Sequence, residues 1–512
     1  RHVPYNDDET LRPNKKADTK TPTEKTPNRK GDAQPVPCRV RVGCPLTECA
    51  SPDETGRSWQ GEPVADPGSV QGRFLLNGKR NRLMHCRRRP TPAFRACFFL
   101  LCAAALLLPG RAAAQSVGLS GFVKSSYYYD TRQVVAARDV DFLLYPAVNT
   151  PDADDPSDRD NFGAFQFFSR LGLRVDDFEQ MVLGADVSGY VETDFFGPTG
   201  TTQNTLRVRR AFAQMRWDAR EVQFGVEWSP LFTLGAYPHT VATEAGTPFN
   251  PFARQPMIKL TLMPGNLRLI GAAAWQMDAF VDAALSNAPS GTDPQGGVDA
   301  QQQAAVPGLH GHAQYVTDRV TLGLGGYLKA LRPLPLGERF FGGAGTAYAV
   351  YSGDPLVLRG KVVYGSVRDH VGIGGYLYDP AAAGNDVGAA DAFQQLNTLS
   401  TWLEVEKTGT VAPGLFAGYL TNLGAADALD STPTAVAYAT RGVDPTGQSL
   451  ASVWEVAPRL ALNYGPMRFA FEVQVTTAQY TARLDDHFAP DPADDEDTVT
   501  NVRGDFSVFL FF

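Results

Sequence analysis

From residue 115 onward the chain alternates apolar and polar positions with a period of two, the repeat of an extended strand with two unlike faces. The cleanest run is 467–476, where Met467, Phe469, Phe471, Val473 and Val475 share one face and Arg468, Glu472, Gln474 and Thr476 the other. Across 399–406, Leu399, Leu403 and Val405 alternate with Ser400, Glu404 and Glu406. Across 165–175, Phe165, Phe167, Leu171, Leu173 and Val175 alternate with Gln166, Arg170 and Arg174. Each run predicts a strand with one side in an apolar medium and the other in water. A soluble sandwich and a membrane barrel both satisfy that condition.

The connections separate the two. Tight polar turns fall near 176–180, 218–221, 264–266, 317–319, 352–354, 408–412 and 464–466. Between them the links are mostly long, at about 130–160, 196–204, 230–255, 277–306, 329–337, 368–394, 422–449 and 483–500. Seven short turns alternating with eight longer links leave sixteen strands. An even count, with short turns at one end and long loops at the other, is the organisation of an outer-membrane barrel. A sandwich has no reason to collect its long loops at one end. Lipid also forbids an unpaired sheet edge, so the first and last strands, near 118–129 and 501–512, are expected to pair. The last ends the chain on Phe512, with Phe506, Val508 and Leu510 on the same face, and resembles the assembly signal of bacterial outer-membrane proteins. The expected fold is an all-β transmembrane antiparallel barrel over 115–512, with short periplasmic turns and long extracellular loops. Aromatics such as Tyr127, Tyr129, Trp217 and Trp275 are expected to flank its apolar band.

Charge and cysteine content divide the chain near residue 114. The first 114 residues carry 20 Lys+Arg against 11 Asp+Glu, and the rest carry 27 against 44. All six cysteines, Cys38 to Cys102, lie in the first part, so the acidic body has neither a disulfide framework nor a thiolate metal site. A body this acidic repels nucleic-acid phosphates. From Met84 the sequence has a basic stretch (Arg87, Arg88, Arg89, Arg95), an apolar run over about 96–108 and Ala112-Ala113-Ala114 before Gln115. That pattern predicts a secretory signal peptide over 84–114. Residues 1–83 are polar and without hydrophobic period. They are expected to be an upstream extension of the gene start, or else a disordered tail.

Short segments in the first strands carry a family likeness. Phe168-Ser169-Arg170-Leu171-Gly172-Leu173-Arg174 resembles the aromatic-x-Arg-Leu-Gly-Phe-Lys segment on strand two of Gram-negative general porins. The segment 185–192, ADVSGYVE, is similar to their next strand, and 208–213, VRRAFA, to their Thr-Arg-Leu-Ala-Phe-Ala segment. Gln223-Phe224-Gly225 and a long third loop follow in order. The resemblance covers about 120 of the 398 residues after the signal. It implies a sixteen-stranded, water-filled diffusion channel, usually trimeric, with the third loop folded inward. It places Arg170 and Arg209 on the lumen wall opposite that loop, and strand parity adds Arg174 and Arg207. An arginine facing lipid at the midplane would cost ~2–4 kcal/mol. The loop departs from the family, however. It lacks the Pro-Glu-Phe-Gly-Gly-Asp stretch and offers Glu244 as its only carboxylate, so ion selectivity is not inherited from the likeness. Elsewhere the expected lumen is mixed, with Arg359, Lys361 and Arg468 against Asp186, Glu192, Glu404, Glu406 and Glu472.

Catalytic chemistry finds no pattern. The body has His239, His310, His312, His370 and His487, with neither G-x-S-x-G nor H-E-x-x-H. His310 and His312 share a strand face but lack a third ligand nearby in sequence, so no metal or cofactor is expected. Acidic residues cluster in the first loop (Asp152, Asp154, Asp155, Asp158, Asp160) and the last (Asp485, Asp486, Asp491, Asp494, Asp495, Glu496, Asp497). Solubility accounts for them; the alternative is bridging by divalent cations to lipopolysaccharide phosphates. The expected function is a homotrimeric outer-membrane porin passing small hydrophilic solutes passively, in contact with lipids and lipopolysaccharide. A substrate-selective relative, DcaP-like or anion-selective, is the first alternative. A plugged barrel serving as adhesin or receptor is the second.

Overall fold

The computed structural model describes residues 116–136, 143–150, 154–178, 181–196, 205–242, 245–277, 299–334, 336–365, 373–379, 381–382, 389–429, 434–436 and 448–512. The expected signal peptide, the segment before it, Asp152, Glu244 and His370 lie outside the described residues.

Sixteen antiparallel strands form one closed sheet. They are β1 (Ser116–Asp130), β2 in two halves (Asn161–Phe165 and Arg170–Asp176), β3 (Asp186–Asp194), β4 (Arg207–Trp217), β5 (Arg220–Trp228), β6 (Arg254–Leu262), β7 (Leu267–Ala274) and β8 (Gly308–Val316). The second half of the barrel holds β9 (Val320–Leu331), β10 (Phe340–Ser352), β11 (Leu356–Gly365), β12 (Asn397–Lys407), β13 (Val411–Gly424), β14 (Ser449–Tyr464), β15 (Met467–Thr481) and β16 (Asp497–Phe511). Each strand pairs with its sequence neighbours, and β1 pairs with β16 from Phe122↔Phe511 to Asp130↔Arg503. The last residue completes the seam: Gly121 N–H donates to the Phe512 carbonyl at 3.0 Å, and Phe512 N–H to the Gly121 carbonyl at 3.1 Å. The seam is thus paired from Gly121 to Asp130, the closure that a lipid-exposed sheet requires.

The period of two sorts the side chains as expected. Leu119, Val123, Leu173, Leu324, Leu403, Phe471 and Leu510 are exposed on the outer wall, while polar residues such as Lys124, Glu192, Glu404, Glu472 and Arg503 turn inward and are buried. Exposed Tyr127, Tyr129 and Trp275 belong to the outer surface as well. The tight turns use residues that suit them; Gly465, at φ +57, opens the two-residue link from β14 to β15.

One reading is corrected. The alternation across 165–175 predicts a continuous strand, but residues 166–169 leave the ladder. The two halves of β2 each pair separately with β1. At the break, Ser169 Oγ accepts from the Lys124 N–H at 3.1 Å, filling the place of a ladder partner.

Residues of the long loops pack against the inner wall near the mouth. Leu143, Leu144 and Tyr145 of the first loop are buried, and Tyr480 Oη on β15 donates to the Pro146 carbonyl at 2.7 Å. Leu144 and Tyr145 join one apolar cluster with Phe196, Phe249, Leu377, Leu396, Phe416, Leu420 and Val453. Loops and inner wall therefore share a core inside the barrel. The loop carboxylates serve local turns. Asp155 accepts from Arg132, Thr150 and the Ser157 N–H, and Asp494 from Thr481 and the N–H groups of Ala482 and Arg483.

Candidate functional site

The third long connection, residues 229–253 (L3), leaves the end of β5 and runs inside the barrel. Its base is held on the β11–β13 wall. Lys361 Nζ donates to the carbonyls of Leu231 (3.2 Å) and Phe232 (2.5 Å) and to Asn250 Oδ1 (2.9 Å). Ser400 Oγ donates to the Phe249 carbonyl at 2.5 Å, and Trp402 Nε1 to Asn250 Oδ1 at 3.3 Å. Gly418 leaves room for the Phe249 ring: a Cβ there would stand 2.5 Å from it. The tip reaches across to other strands. His239 N–H donates to Glu404 Oε1 on β12 at 2.7 Å, and Val241 N–H to Glu472 Oε2 on β15 at 2.9 Å.

Between L3 and the inner wall of β1, β2, β4, β15 and β16 lies a narrow cleft, termed the throat. Lys124, Arg170, Arg209 and Arg468 line it, together with Phe122, Phe168, Trp228, Tyr237, Phe252 and Phe509. No carboxylate lines it among the described residues. Aromatic faces hold these cations. Arg170 lies over Phe122 and Phe168 at 5.2 and 5.1 Å, Lys124 over Phe509 at 5.4 Å, and Arg209 over Phe168 at 5.3 Å. A ring quadrupole attracts a cation without cancelling its charge.

Behind the throat the arginines meet acids. Arg209, 1% exposed, donates to Glu192 Oε1 and Asp194 Oδ2, each at 2.7 Å. Arg170 stands 3.6 Å from Glu192, and Arg207 is bidentate on Asp194 at 2.6 and 3.0 Å. Arg210 is bidentate on Glu227 at 2.7 and 2.8 Å. On the far wall Arg359 and Arg459 each bridge Glu404 and Glu406, at 2.6–2.9 Å. Such bidentate, charge-assisted pairs fix guanidinium planes in the wall.

Of the expected constriction residues, Arg170, Arg174, Arg207 and Arg209 all sit on the inward face, but only Arg170 and Arg209 line the throat. Arg174 pairs instead with Asp176 at 2.8 Å, and Arg207 with Asp194. Sequence parity missed Arg210. A bulge between Glu192 and Thr193 skips a residue on β4, so Arg209 and Arg210 are both buried. Lys124 was within reach of the parity rule, since it alternates with Val123 and Ser125 beside Phe122. His310 and His312 are buried on β8 with ring centroids 6.1 Å apart, and no group of three metal-ligating side chains occurs among the described residues.

No protein-family model and no curated protein sequence matches the chain. Solved structures do. The chain is similar to the outer-membrane channel DcaP of Acinetobacter baumannii, with TM-score 0.55 and 13% identity over 78% of this chain and 98% of that one. It is also similar to an anion-selective porin from Comamonas acidovorans, with TM-score 0.45 and 12% identity over 78% of this chain and all of that one. The closed sixteen-stranded barrel is thus the fold of the DcaP outer-membrane channel.

Proposed function

We propose that the chain is an outer-membrane channel through which small hydrophilic solutes diffuse passively, with anions favoured. The observation that carries this is the throat: four cations, held by rings, line it without a facing carboxylate. Charge in a narrow, partly desolvated passage acts on ions at short range and is a basis of selectivity. The barrel's likeness to a channel fold and its unbroken apolar outer wall support placement in the outer membrane. On this reading the chain works as a homotrimer in contact with lipid and lipopolysaccharide. It is exported by the signal over 84–114 and matures at Gln115. Among the described residues no arrangement calls for catalysis or a cofactor.

A second reading follows from the apolar core in the mouth. Loops that share buried side chains with the inner wall suit a plugged barrel that presents its outer surface to a partner. Planar-bilayer recording on the purified protein separates the two. A diffusion channel gives stepwise, ohmic conductance and an anion-favouring reversal potential under a salt gradient. Absence of conductance from the folded barrel would leave the plugged reading standing.

A further inference from the structure

L3 is attached in two different ways. Its base is packed: Leu231 and Phe249 are fully buried, and its backbone carbonyls lie under Lys361 and Ser400. Its tip is tied through backbone atoms to an acidic and a basic side chain of the wall. Glu472 accepts from two successive N–H groups, Val241 at 2.9 Å and Ala242 at 3.3 Å. Lys124 Nζ donates to the carbonyl of the same Val241 at 2.9 Å. One residue is thereby gripped from both sides, by a carboxylate on β15 and an ammonium on β1. The Thr240 hydroxyl beside it is buried without a partner, so its side chain does not anchor the tip.

We propose that Glu472 and Lys124 form a two-sided clamp on residue 241 that sets the width of the throat, with Glu472 as a positioning residue outside the permeation path. This inference rests on the channel reading. Tyr237, His239, Val241 and Ala242 form the loop side of the throat, and Lys124 stands on its wall. Releasing the tip therefore widens the passage while the base stays seated. The clamp also turns both Glu472 carboxyl oxygens to backbone donors, away from permeating ions. Charge-assisted bonds of this kind are the strong ones, and a carboxylate on successive N–H groups uses an anion-binding backbone concavity.

Glu472→Gln tests the clamp. The amide keeps the size of the side chain but offers one acceptor oxygen where the carboxylate offers two. Arg459 nearby keeps Glu404 and Glu406 at 2.7 and 2.8 Å, so the neighbouring ion pairs survive. Expected are a higher single-channel conductance and a reversal potential moved toward zero, because the wall cations then act across a wider, better screened passage. A nitroxide on Thr240→Cys should be immobile in the parent and mobile with Glu472→Gln. Because the body has no cysteine, a Glu472→Cys/Ala242→Cys pair adds a covalent control. Oxidised, it should conduct like the parent, and reduction should raise conductance. Parental conductance and label mobility in Glu472→Gln would overturn the clamp. So would an oxidised pair as conductive as the reduced one, since charge and not position would then be acting. A parent that never conducts defeats the channel reading instead, and label mobility still decides the clamp.

Discussion

Asp130 and Arg503 lie directly opposite one another across the seam that closes the barrel, and their side chains are bidentate. Arg503 Nε donates to Asp130 Oδ1 at 2.8 Å and Nη2 to Oδ2 at 2.7 Å, with Asn501 Nδ2 adding a third bond at 2.8 Å. Both side chains are almost fully buried. Removing one partner of such a pair strands the other charge, at a cost of about 3–5 kcal/mol. Arg503→Met should therefore lower the temperature at which the folded band of heat-modifiable migration is lost. A folded band as heat-resistant as the parent's would show that the seam does not depend on this pair.

The other end of the seam depends on shape. A Cβ on Gly121 would stand 2.2 Å from the Arg170 carbonyl oxygen and 2.9 Å from the Phe512 ring. Gly121→Val, or deletion of Phe512, should reduce folded barrel in the outer membrane while leaving synthesis unchanged. Comparison of folded and total protein on gels measures the effect, and unchanged folded yield for both would contradict the closing role of the last residue.

Arg170→Ala/Arg209→Ala should raise relative cation permeability by more than two lost charges suggest. Arg209 covers Glu192, and its removal together with Arg170 leaves that carboxylate only the more distant Arg210, at 3.7 Å, while Arg207 keeps Asp194. The screening length is ~8 Å at physiological salt and ~3 Å at 1 M, so the shift in reversal potential should shrink in molar salt. Equal reversal potentials at low salt would place both arginines outside the permeation path.

Two loop carboxylates link pH to loop order. For Asp155, burial pushes upward but the Ser157 N–H, Arg132 and Thr150 outweigh it, and the group lies below its ordinary value. For Asp494, the Thr481 hydroxyl leads, with the N–H groups of Ala482 and Arg483, again downward. A carboxyl lowered in the fold stabilises it above the unfolded value, ~3.9 for Asp, and that contribution is lost as pH falls through the folded value. The first and last loops should stay ordered at neutral pH and loosen only in stronger acid. Hydrogen exchange in these loops, parent against Asp494→Asn, is the measurement. Identical exchange in both proteins at neutral pH would remove Asp494 from the account.

The strands were legible because lipid and water enforce a strict period of two, as across 467–476, and because turn and loop lengths alternate. The break in β2 was not, since Gln166 and Phe167 keep the alternation while the backbone leaves the ladder. The family likeness and parity both mark Arg170 and Arg209 as inward-facing, and both side chains stand against L3. Arg210 was hidden by a bulge, which changes parity without changing composition. The partners of the arginines were equally hidden: Glu192 and Asp194 reach them through register between strands, which no local spacing encodes. The hold on L3 joins residues 231 positions apart, Val241 and Glu472, and only closure of the sheet brings them together.

That hold has a consequence for assembly. Lys124 is on the first strand and Glu472 on the penultimate one, so the two ends of the grip come from opposite sides of the unfinished cylinder until β1 meets β16. An open sheet on its way into the membrane can offer the loop one hand at a time. Closing the wall and completing the grip on the loop tip therefore fall in the same step. On the channel reading, the last strand to arrive finishes the seal and, with it, the grip that narrows the throat.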